Sequence, residues 1–146
     1  MSDKTSIPAF SPPQAALAAL SVAHRISRAD ADALGDFIAT QAAFAALDNI
    51  AQAQEMAQAL AQDISDATDG FDTLLNLLAA ALRDDAAATA YCLCADFIAL
   101  HGRVSPEEMR FLERLGDALG IDRLSRAAFD RAAQARTTPL STSETQ

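Results

Sequence analysis

Leu100-His101-Gly102-Arg103-Val104-Ser105-Pro106-Glu107-Glu108 reads as a sharp break between two helices. An apolar run from Phe97 to Leu100 ends on His101, and Gly102 permits a tight turn. Ser105 is a helix N-cap. Pro106 sits at the first helical position, where a missing N–H costs nothing, and Glu108 stands where a capping box needs a carboxylate. Phe111, Leu112, Leu115 and Leu119 then recur at helical spacing until Gly120 stops the helix. A second stretch echoes the first: Ala23-His24-Arg25-Ile26-Ser27-Arg28-Ala29-Asp30, followed by Leu34 and Phe37. These two places hold the only two histidines of the chain. Each pairs a helix ending in His with a serine cap and a carboxylate three residues on. The pattern predicts two helix–turn–helix hairpins related by a pseudo-twofold.

Working outward, Ser11-Pro12-Pro13 opens a first helix that runs to about His24. Ser27 caps a second helix, ending near Thr40. Asp48 caps a third, with a stripe of Ile50, Ala53, Ala57, Leu60 and Ile64. A polar turn over 63–70 leads to a fourth helix, Phe71 to Leu82. It is apolar nearly all round and is therefore expected at the centre. Asp84 or Asp85 opens the fifth, and the seventh spans about Arg123 to Arg136. Alanine supplies 35 of 146 residues, while Gly and Pro supply five each. Alanine favours helices and is depleted in strands. The expectation is an all-α, single-domain bundle of about seven helices over residues 11–136. A flexible stretch precedes it (1–10) and a disordered Ser/Thr-rich tail follows (137–146).

The net charge of −9 sets this surface against phosphate backbones and anionic lipid, so nucleic acid is not an expected partner. The acid excess lies in the first half: Met1 to Asp72 holds 3 basic and 10 acidic residues. No run reaches the ~20 apolar residues of a membrane span, and the first residues lack the apolar core of a signal peptide. Cys92 and Cys94 are two apart in a helix and point to different faces, as reduced cytoplasmic cysteines.

The second hairpin, from Ala95-Asp96 through Glu108 to Leu119-Gly120-Ile121, resembles the tellurite-resistance TerB-like family, in its alphaproteobacterial branch. The first hairpin resembles it more weakly. The resemblance spans Pro12 to Arg136. It implies a two-hairpin helical domain, a cytoplasmic bacterial protein associated with tellurite or chemical stress, and metal binding by acidic residues of the hairpins. The sequence departs from that pattern at the turn: the family's Asp-Gly is replaced by His24-Arg25 and by His101-Gly102, while Asp30 and Glu108 keep the later acid.

Two readings of these residues follow. In the first, His24, Asp30, His101 and Glu108 converge on a divalent metal, zinc or a similar ion, with Asp96 orienting an imidazole from behind. In the second, Asp30 and Glu108 are capping-box residues and the histidines answer helix C-terminal dipoles, with no metal. The chain is then a metal-free module for protein contacts, as monomer or homodimer. A metal-dependent hydrolase is the third class. No phosphate loop, nucleophile elbow or His-Glu-x-x-His supports an enzyme.

Overall fold

The computed structural model describes residues 10–102 and 104–142. Among them the chain is all-helical: α1 (Pro12–Ser27), α2 (Ala33–Ala39), α3 (Ile50–Ser65), α4 (Gly70–Ala81), α5 (Asp85–Leu100), α6 (Pro106–Ala118) and α7 (Arg123–Thr137). A short 3₁₀ turn, Ala42–Phe44, follows α2. The two hairpins are α1–α2 and α5–α6, and α1 packs directly on α5.

The centre of the bundle is α1, not α4. Every residue from Ala15 to Ala23 is buried, and α1 touches α2, α3, α4, α5 and α6. Helix axes pack about 8–10 Å apart. A helix surrounded on all sides therefore needs small side chains on most of them, and five of these nine residues are alanine. The leucine-rich α4 buries Leu74, Leu75 and Leu78 but leaves Asp72, Thr73, Asn76 and Ala80 exposed. Side-chain volume, rather than apolar content, selects the central helix here.

The serine caps of α1 and α6 form as read. The Ser11 hydroxyl accepts from the Gln14 N–H, and the Gln14 side chain accepts from the Ser11 N–H. Ser105 and Glu108 exchange the same two bonds at 3.1 and 2.7 Å. Gly120, at φ 72°, closes α6 with a Schellman turn, its successor Ile121 donating to the Gly116 carbonyl at 3.0 Å.

The cap expected at Ser27 does not form. Ile26 packs against the core, so α1 winds past His24 to Ser27 and ends at Arg28, which adopts a left-handed conformation (φ 57°). The Ser27 hydroxyl turns back to the His24 carbonyl at 3.0 Å. The next helix begins only at Ala33, and Asp32 caps nothing with its side chain. Likewise Asn49, not Asp48, precedes α3. Phe10 is buried in the core, so the packed domain starts one residue earlier than 11. The remaining N-terminal residues, 1–9, and the end of the tail, 143–146, lie outside the described residues; 138–142 are exposed and non-helical.

Candidate functional site

Both histidines are placed at helix ends, as the sequence indicated, but in different registers. His24 lies within the last turn of α1, four residues before its cap, and its Nε2–H donates to the Asp30 backbone carbonyl at 2.9 Å. His101 is itself the cap of α5. Its Nδ1–H donates to the Phe97 carbonyl at 2.7 Å, folding the ring back over its own helix. What joins the two rings is Phe97, fully buried between them, with centroids 5.9 Å from His24 and 4.5 Å from His101. Phe37 of α2 meets the same ring edge-on at 5.4 Å. The hairpins are thus joined by an aromatic cluster.

The four expected ligands do not converge. His24 opens onto a depression with Arg25 and Arg28, whereas Asp30 and His101 line a different one, of about 530 Å³, with Asp32 and Asp36. Glu108 is buried and committed to the Ser105 N–H. Asp96 binds Arg136 of α7 at 2.6 Å rather than orienting His101. Among the described residues no group of three or more His, Cys, Asp or Glu is arranged to hold a metal ion. The physical reason is local. Each imidazole spends one N–H on a backbone carbonyl, and the extra turn of α1 carries His24 away from the register that His101 occupies. The residues present do not fit the expected tetrahedral set.

A further depression lies between α5, α6 and α7 and has a volume of about 620 Å³. Its floor is aliphatic: Ala95, Ile98, Ala99, Val104 and Leu112 among others. Met109 stands exposed at one lip and Ala127 at the other. One end is polar. The hydroxyl of Tyr91, a buried residue of α5, donates to the Asp130 carboxylate of α7 at 2.8 Å. Burial pushes the Asp130 carboxyl above its ordinary range, against the opposing effects of that hydrogen bond and of Arg126. Burial, then the bond to Asp130, raises the Tyr91 phenol well above its usual value.

Arg126 fixes the α6–α7 corner beside this groove. Its guanidinium donates to the Ile121 carbonyl at 2.7 Å and pairs with Asp117 at 2.8 Å. The side chain crosses Gly116 so closely that a Cβ there would lie 2.6 Å from Arg126 Cδ. The Tyr91–Asp130 contact carries no short-range sequence signal, since the two residues are 39 apart. The visible hints were the presence of a single Tyr in the chain and of glycine inside an otherwise regular amphipathic helix. Cys92 and Cys94 are free, and burial pushes both thiols upward, away from nucleophilic reactivity.

No family model matches the chain, and neither a curated protein nor a solved structure matches it.

Proposed function

We infer that this chain is a TerB-like helical module that acts by binding another protein, with the α5–α6–α7 groove as its binding face. The observation that carries this reading is the groove itself. It has an aliphatic floor, an exposed methionine lip and a size able to take several apolar side chains of a partner helix. The hairpin histidines and Glu108, by contrast, are occupied by hydrogen bonds of ordinary helix-end type. Burial that raises both thiols favours binding over catalysis by cysteine. The TerB-like hairpin residues support a bacterial cytoplasmic setting and an association with tellurite or chemical stress.

A photo-crosslinking side chain at position 109, in living cells, tests the groove. One discrete adduct is expected. It should vanish with Ala127→Glu on the opposite lip, and should be absent when the crosslinker sits at position 59 on α3. Equal labelling from both positions would overturn the reading. A deletion strain challenged with tellurite and other stresses tests the physiological part, which unchanged sensitivity would remove.

For the metal reading, Asp30, Asp32, Asp36 and His101 line one depression, but among the described residues they are not arranged around a common point. Thermal melts separate the two. The binding-module reading expects the same Tm with Zn²⁺ and with EDTA. A rise with Zn²⁺ that His101→Ala removes would favour metal.

A further inference from the structure

We propose that the depression between α1 and α3 is a binding site for a small oxyanion of the phosphate class, free or as a soluble phosphomonoester. This site is separate from the groove and does not depend on its function. The depression holds about 300 Å³ and is lined by Ser21, His24, Arg25, Arg28, Gln58 and Gln62, with Ala29. No carboxylate is among these residues, whereas the two other depressions described above are lined by Asp or Glu. The contrast matters in a chain of 20 acidic and 11 basic residues, most acidic in this half. Between Thr5 and Leu82 the only arginines are Arg25 and Arg28, and there is no lysine; both arginines face this one depression, beside His24.

Among the described residues neither guanidinium is paired with a carboxylate. Arg25 Nη1 donates to the Gln62 Oε1 at 2.5 Å, and the Gln62 amide donates in turn to Asp66 at 2.8 Å. Gln62 is thereby fixed with its oxygen toward Arg25, which makes it a positioning residue for the guanidinium. Among the described residues Arg28 has no hydrogen-bond or ion-pair partner for its side chain. It also occupies a left-handed position (φ 57°) that glycine or asparagine fills more easily. Two guanidinium groups with free N–H donors, plus the Gln58 amide, present the geometry that planar forks use on phosphate or carboxylate oxygens. The dimensions suit a compact anion, and the −9 net charge opposes docking on an anionic membrane.

The test titrates the intact protein with inorganic phosphate at constant ionic strength, followed in ¹H–¹⁵N spectra. The expected result is saturable movement of the Arg25 and Arg28 Nε–H and Gln58 side-chain signals, absent with matched chloride. Glycerol 3-phosphate is expected to reproduce it, and phosphatidylcholine vesicles with phosphatidic acid are expected not to sediment the protein. Arg28→Asn keeps a residue suited to the left-handed backbone, so the fold is retained. It is expected to weaken phosphate binding by roughly tenfold, the loss of one charge-assisted contact. Arg25→Gln should do likewise, while Arg131→Gln on α7 should change nothing. The site is disproved if phosphate acts no differently from chloride, or if Arg28→Asn and Arg25→Gln bind as the parent does. Sedimentation with vesicles, without binding of the soluble phosphates, would overturn the assignment to a soluble anion.

Discussion

At Gly116 a single missing Cβ decides how α7 leaves α6. The Arg126 side chain passes through the space a methyl group would fill, and its guanidinium then reaches the Ile121 carbonyl and Asp117. Gly116→Ala should therefore cost about 1–3 kcal/mol by urea denaturation, the usual scale of overpacking. In an Arg126→Ala background the same change should turn neutral or stabilising, since alanine is the better helix former. A double-mutant cycle reads the coupling directly. Asp130 offers a second test at this scale. Its folded pKa is raised, so the folded state binds more protons than the unfolded state above the ordinary carboxylate range. The associated stabilisation is complete below that range and is lost as pH rises through the raised value. Asn at this position retains an acceptor for the Tyr91 hydroxyl without titrating. The stability of Asp130→Asn relative to the parent should consequently improve between pH 4 and pH 7. An unchanged difference across that span would refute a shifted Asp130.

Helix termini show where sequence reading works and where it stops. Ser11 and Ser105 were legible because a cap is a local transaction among four residues, with proline fixing the first φ. Ser27 has the same local credentials, yet Ile26 finds the core and draws α1 onward over it. The echo between the hairpins is real in residue order, but the two histidines differ in register for the same reason. Ser105→Ala should accordingly cost about 1 kcal/mol, as lost caps do. Ser27→Ala, removing only a bond back to the His24 carbonyl, should stay within about 0.5 kcal/mol of the parent. Equal losses at both serines, measured by thermal or urea unfolding, would contradict the assigned boundaries.

Across the whole molecule, the all-helical class was written in alanine content and periodicity, but the arrangement was not. Which helix is enclosed depends on side-chain volume summed over five neighbours of α1, and no window of sequence contains that sum. The candidate site had the same fate: the partners of its two histidines are the Asp30 and Phe97 carbonyls and the Phe97 ring, none of which a local reading supplies. Phe97→Ala should cost about 3–5 kcal/mol, the range for a buried aromatic. That is a large share of the ~5–15 kcal/mol a domain typically holds. The loss should appear in one cooperative transition, because α1, α2 and α5 all lean on that ring. Separate melting of the two hairpins would show them to be independent units.

The shared phenylalanine also gives this protein a built-in spectroscopic gauge. With only two histidines, the imidazole Cε1–H region of a proton spectrum holds two lines, and both rings lie within the ring current of Phe97, at 5.9 and 4.5 Å. Any event that slides α1 along α5 moves both lines together, whereas a change confined to one turn moves only one. The junction of the hairpins can thus be watched in unlabelled protein, through two resonances that need no engineered probe.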